Sequence, residues 1–193
     1  MHEILRVLVA PIFLLAPSPV QTGIQVQPFS SIELPEGGHV ILQPSSAQRV
    51  TLVRGSLDYT RISVTDRGVL VINKCFRKCP RGYRLELEIR TPSLSRVSLA
   101  NGGSIESRGS FPRQSSLAVD VRHGGRIDVR SMVAQSVTAS VNNGGRILTA
   151  PRASLVASVT QGGAIFYWGD AQVTQSIDHG GVVTRGSADE ISR

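Results

Sequence analysis

From residue 97 onward, aliphatic residues alternate with polar ones, and Gly-Gly pairs interrupt the alternation at near-regular intervals. The pairs begin at Gly102, Gly124, Gly144, Gly162 and Gly180, which are 22, 20, 18 and 18 residues apart. A period near 20 residues is the signature of a solenoid, in which each repeat is one coil stacked on the last. Three positions before each pair stand Leu99, Val121, Val141, Val159 and Ile177, and three after it Ile105, Ile127, Ile147, Ile165 and Val183. Five before come Val97, Val119, Ala139, Ala157 and Gln175. Spacing by two is the period of a strand with one buried face, whereas a helix needs three and four. Gly-Gly breaks helices and suits a corner, because glycine accepts positive φ and permits close backbone approach.

The pattern therefore predicts an all-β chain: a parallel β-helix forming one solenoid domain of 18–22-residue coils. Each coil is a strand, a Gly-Gly corner, a second strand and a short third side. A further apolar column is read nine positions after the corner, at Phe111, Val133, Ala153 and Ala171. The polar residues just before the corners, Asn101, His123, Asn143, Gln161 and His179, fall by parity on the inward side, as a ladder serving turn backbone groups.

The first half fits the template loosely. Ile32 and Leu34 precede Gly37-Gly38, and Val40 follows. Ile62 and Val64 precede Arg67-Gly68, with Leu70 and Ile72 after it. Strands are also expected over 49–53 and 83–89. These pieces are read as an N-terminal sheet capping the first regular coil. Gln175, polar in a small apolar column, marks the last coil as a terminal cap.

Composition adds the setting. Residues 1–6 carry Arg6, residues 7–16 are apolar apart from Pro11, and Pro17 and Pro19 follow. The apolar run is too short to span a bilayer, so residues 1–22 read as a signal peptide and 23–193 as the mature domain. That predicts an exported protein, periplasmic or at the cell surface, with no transmembrane segment in its mature chain. The net charge is +7, and only Lys74 and Lys78 among 21 basic residues are lysine. A basic exported chain suits anionic surfaces such as acidic polysaccharide or lipid headgroups.

Three features could carry function. Cys75 and Cys79, the only cysteines, are expected to form a disulfide, the default in an oxidising compartment. Around Phe76 in that loop, Lys74, Arg77, Lys78 and Arg81 form a candidate anion-binding site. Outward positions after the corners put Leu148, Ala150, Phe166 and Trp168 in a candidate exposed apolar patch, where flat aromatics could stack on sugar rings. Metal binding by His123 and His179 is rejected: read as two coils apart, they cannot share one ion.

Catalysis finds no support. Glu106 and Asp128 share an outward column, but the next residue in it is Leu148, and no nucleophile, zinc or phosphate-loop motif occurs. The runs Phe29-x-x-Ile32-x-Leu34, Asp66-x-Gly68-x-Leu70-x-Ile72, Arg84-Leu85-Glu86-Leu87-Glu88-Ile89 and Thr91-Pro92-Ser93-Leu94-x-x-Val97-x-Leu99, leading into Asn101-Gly102-Gly103, resemble the head GIN domain family of bacterial auto-transporter adhesins. The likeness spans roughly residues 29–186; the cysteine loop departs from the family pattern. It implies a β-helical fold, an extracytoplasmic setting and no catalytic residues. The resulting expectation is a non-enzymatic extracytoplasmic binding or adhesion module for surface glycan or another anionic envelope component, without cofactor or metal. Its partners would be polysaccharide or an envelope or surface protein rather than nucleic acid, and it could form a homo-oligomer. The alternatives are a structural or stress-related envelope protein and, less favoured, a β-helical polysaccharide-active enzyme.

Overall fold

The computed structural model describes residues 22–187. The export-signal reading lies outside them, apart from Thr22. The strands are β1 (Thr22–Ile24), β2 (Ser31–Leu34), β3 (His39–Pro44), β4 (Arg49–Arg54), β5 (Arg61–Val64), β6 (Val69–Asn73), β7 (Glu86–Thr91), β8 (Arg96–Ala100), β9 (Ser104–Ser107), β10 (Gln114–Arg122), β11 (Arg126–Asp128), β12 (Ala134–Asn142), β13 (Arg146–Thr149), β14 (Pro151–Thr160), β15 (Ala164–Tyr167), β16 (Gln172–Asp178) and β17 (Val182–Arg185). They form an all-β solenoid of two facing sheets. One sheet has nine strands, ordered β1-β4-β7-β3-β9-β11-β13-β15-β17, and the other eight, ordered β16-β14-β12-β10-β8-β2-β6-β5.

The regular coils stack in parallel, in the register that the aliphatic columns require. Val121 pairs with Leu99 and Val141, Val159 with Ile177, and Ile127 with Ile105 and Ile147. Leu99, Val121, Val141 and Val159 are buried, as are Ile105, Ile127, Ile147 and Ile165. A further ladder, Leu117, Val137 and Leu155, fills the start of the longer strands. It takes the interior role assigned above to the column nine after the corner, where Phe111 is buried but Ala153 is exposed. There is no flat third side. The return is a short turn over 129–133, with Met132 donating to the Val129 carbonyl at 2.9 Å. Between β13 and β14 it shrinks to residue 150 alone. Shortening the return takes residues out of the coil while leaving the paired strands in register.

Each corner is three successive residues at positive φ: Asn101 (56°), Gly102 (82°) and Gly103 (89°), and likewise at His123, Asn143, Gln161 and His179 with their glycines. Left-handed backbone turns the first side chain out of the strand alternation. These five polar residues are therefore exposed rather than inward, and the parity argument fails at the corner. His123 and His179 are separated by three coils, not two, about 14 Å at ordinary strand spacing. The two glycines answer different demands. A Cβ on Gly144 would meet nothing within 4 Å, but one on Gly145 would lie 2.5 Å from Val121 Cγ1 and 3.1 Å from the Gly125 carbonyl oxygen. The first glycine supplies the backbone angle, and the second also lets successive corners nest.

The first half departs from sequence order. Strands β2 and β3, flanking Gly37-Gly38, form a coil directly against β8 and β9, with Leu34 on Leu99 and Val40 on Ile105. The chain between them goes to the far side of that coil, where β6 and β7 stack in parallel on β2 and β3. Antiparallel β5, β4 and β1 then close the end. Arg67-Gly68 is thus a hairpin turn between antiparallel β5 and β6, not a coil corner.

Candidate functional site

At the N-terminal end, Gly37-Gly38 has the Asn101–Gly103 corner on one side only. On the other side lies the segment after β6, which carries Cys75 and Cys79, joined as a disulfide with Cα atoms 5.7 Å apart. The loop is anchored from three directions. The Cys75 N–H donates to the Glu36 carboxylate at 3.0 Å, the Phe76 N–H to the Tyr59 carbonyl at 3.2 Å, and the Thr60 hydroxyl to the Lys74 carbonyl at 3.2 Å. Beneath it the Tyr83 hydroxyl lies 2.7 Å from Thr60 Oγ1 and accepts from the Ser56 N–H at 2.8 Å. Because the stack of glycine corners is interrupted here, a cavity of about 290 Å³ opens beside the corner, lined by Glu36, His39, Lys74, Tyr83, Arg84 and Glu86 among others.

The four cations expected around Phe76 sit on this loop. Arg77, Lys78 and Arg81 are exposed, and Lys74 is half-buried at the cavity. Arg77 stacks over Phe76 at 5.2 Å, and Arg61 of β5 stacks over the same ring at 4.6 Å. Sequence reasoning missed Arg61, since only the β5–β6 pairing brings it there. Among the described residues, none of Arg61, Lys74, Arg77, Lys78 and Arg81 forms an ion pair with a carboxylate.

The outer wall of the nine-stranded sheet is also rich in arginine, and several of those arginines are matched by acids. Arg90 meets Glu88 at 2.8 Å, Arg108 meets Glu106 at 2.9 Å, and Arg130 meets Asp128 at 2.6 Å. Each pair is two residues apart on one strand or its extension, hence on one face. The hydrogen bond from Arg108 holds the Glu106 carboxyl below its ordinary range, and Asp128 correspondingly raises Arg130.

Farther along that wall, Leu148 and Phe166 take the acidic column's place. They do not form the exposed patch read from the sequence: both are buried, and Trp168 is half-buried. Arg146 stacks over Phe166 at 5.4 Å and Arg130 over Trp168 at 4.8 Å. Long arginine stems cover apolar surface while their heads stay wet, so these two residues roof a small outer core. On the outer face of the eight-stranded sheet, Asp120 is paired to Arg96 at 2.5 Å.

Among the described residues, no group of three or more His, Cys, Asp or Glu is placed to hold a metal, and no helix is long and apolar enough to cross a membrane. No curated protein matches the chain. Similar solved structures include a "putative adhesin" from Bacteroides fragilis, 17% identical with a TM-score of 0.47, covering 86% of this chain and 95% of that one. A "putative lipid binding protein" from Parabacteroides distasonis is 14% identical with a TM-score of 0.35, covering 87% and 96%. A "putative cell adhesion protein" from Clostridium sporogenes is 9% identical with a TM-score of 0.38, covering 87% and 99%. At these scores no conclusion about this chain rests on them. The family described as "Putative auto-transporter adhesin, head GIN domain" matches residues 28–147, which runs from Pro28 near the opening β2 coil through the inserted strands to Ile147. The chain belongs to the head GIN domain family, and its last coils continue the same stack beyond the matched segment.

Proposed function

We propose that this protein is an exported, non-enzymatic binding module that attaches to anionic polysaccharide through the disulfide-closed loop at the N-terminal end of its solenoid. One observation carries the reading: the loop's cations gather around Phe76 without carboxylate partners, whereas Arg90, Arg108 and Arg130 on the wall are matched by acids. Unmatched guanidinium and ammonium groups on a rigid support attract sulfate or carboxylate with little ordering cost. The family assignment agrees with a binding role, and the disulfide agrees with an oxidising compartment. Cleavage of a signal peptide after residue 22 would remove Thr22 and leave Gly23 and Ile24 of β1 in the mature chain.

The wall speaks against Glu106 as the acid of a glycoside hydrolase. Glu106 and Asp128 stand side by side on neighbouring strands, as a carboxyl pair would. Such chemistry needs one carboxyl with a raised pKa to act as acid, and Arg108 pushes Glu106 the other way.

Heparin chromatography and an acidic-glycan array test the reading. The chain carrying K74Q, R77Q, K78Q and R81Q together should elute at lower salt than the unsubstituted protein and lose array signal. Equal elution and equal signal would overturn it.

A further inference from the structure

The two ends of the solenoid are finished differently. At the C-terminal end, among the described residues, β16 and β17 pair on one side only, with β14 and β15. Interior columns that are sealed elsewhere are open there: Ile177 is 43% exposed, whereas Leu99, Val121, Val141 and Val159 in the same column are at most 1% exposed. Val173 and Val183 are half-buried, and Val182 on the outer face is 41% exposed. Gln175 stands in register with Ala157, at a position where the preceding coils have only valine or alanine.

We propose that a second copy of this chain docks on this end, β16 against its own copy in antiparallel register, with Gln175 on the two-fold axis. A two-fold axis normal to the sheets keeps the inner face inner, so the interior column continues across the junction. Val173 of each copy then faces Ile177 of the other, closing the open column with apolar pairs. Gln175 faces Gln175, and a primary amide, being both donor and acceptor, is complementary to itself. On the outer face Thr174 meets Ser176 and Gln172 meets Asp178, so no like charges oppose each other. The same axis carries the β17 edge toward its counterpart. Gln175 thus explains itself: it would be a poor filler for a capped interior but suits a symmetric junction. The arrangement sets the two disulfide loops at opposite far ends. If those loops bind polymer as proposed above, the assembly is bivalent; the association itself does not depend on that reading.

The test is sedimentation equilibrium of the full chain over a wide concentration range, which involves no glycan. A monomer–dimer equilibrium is expected. Gln175→Glu sets two carboxylates on the axis and should weaken association by about tenfold or more at neutral pH, with recovery below about pH 4 as they protonate. Gln175→Cys should cross-link into a covalent dimer on mild oxidation, since facing residues in antiparallel strands lie about 5 Å apart, within disulfide reach. Val156→Cys, exposed on the sheet face one coil inward, should not. Circular dichroism matching the unsubstituted protein establishes that each variant is folded. A monomer at all concentrations would overturn the proposal, as would equal cross-linking of both cysteine variants. So would protection of the β16 amides from hydrogen exchange in a monomer, which would mean that another part of the same chain covers the edge.

Discussion

The two ends of this solenoid share one core and differ in how they stop. At the N-terminal end the chain leaves its coil after β3 and crosses to the far side. There it lays down β6 and β7 as a parallel layer and closes with antiparallel β4, β5 and β1. A disulfide loop seals the corner, and Tyr83, Ile62 and Val64 pack against the core cluster. At the C-terminal end of the described residues the last coil is built like the others, and Ile177 and Val182 are open to solvent. A parallel coil cannot cap itself, because its outer strands expose unpaired backbone groups in the register that the next coil would use. Reversing strand direction, as β4 and β5 do, breaks that template. The end without such a reversal is the one that invites a partner.

The comparison can be broken at the corners first. Gly145→Ala places a Cβ against Val121 and the Gly125 carbonyl at φ 107°, and left-handed strain plus overpacking should cost about 4 kcal/mol. Gly144→Ala, with open space at φ 83°, should cost only about 1–2 kcal/mol. Gly181→Ala meets Val159 in the same way as Gly145→Ala meets Val121, but at the end of the stack. Hydrogen exchange should show it fraying β16 and β17 while the interior stays protected. Global unfolding by Gly181→Ala would mean that the last coil is not a separable end.

The aliphatic column offers the next contrast. Leu99→Ala in the sealed interior should destabilise by about 3 kcal/mol, measured by denaturant unfolding. Ile177→Ala should cost about 1 kcal/mol or less at concentrations where the chain is monomeric, because much of that side chain is already in water. At the other end, reducing Cys75–Cys79 opens a short loop and should cost about 2 kcal/mol by the chain-entropy argument, while exchange at β16 stays unchanged.

The smallest effect is electrostatic. Glu106 titrates below its ordinary value because Arg108 donates to it, so the stability it contributes is present above the unfolded-state pKa, about 4.3, and is lost as pH falls through the lowered folded value. Both side chains are partly exposed, which screens the pair. Glu106→Gln should slightly flatten the acid limb of thermal stability and leave the neutral-pH midpoint nearly unchanged. An unaltered acid limb would mean that the pair contributes nothing measurable.

Much of the regular half was legible before any coordinates. Two-residue spacing around the Gly-Gly pairs assigned Val121, Val141 and Val159 to one interior ladder, and they stack as neighbours. The disulfide and the loop cations were also legible, since they depend on near neighbours in the chain. Among the readings that failed, three show how local reasoning runs out. Parity carried Asn101, His123 and their equivalents inward, but positive φ reverses the side-chain direction at the corner. Leu148 and Phe166 read as exposed because strand alternation places them outside, and it cannot tell that Arg146 and Arg130 fold over that part of the wall. Arg67-Gly68 read as a corner because one glycine after an alternating run looks alike in a hairpin and in a coil.

The sequence by itself determined the coil: its period, its inward columns, its glycine corners and its two cysteines. All of these are local, set by side-chain alternation and by the backbone angles that only certain residues tolerate. Tertiary structure decided which coils became neighbours. The Gly37-Gly38 coil lies against one whose corner begins at Gly102, with the inserted strands on its other face. It also decided which outward positions were roofed and which end stayed open. Those outcomes depend on pairings between segments far apart in the chain, and a repeat pattern is the same whichever way its ends are finished.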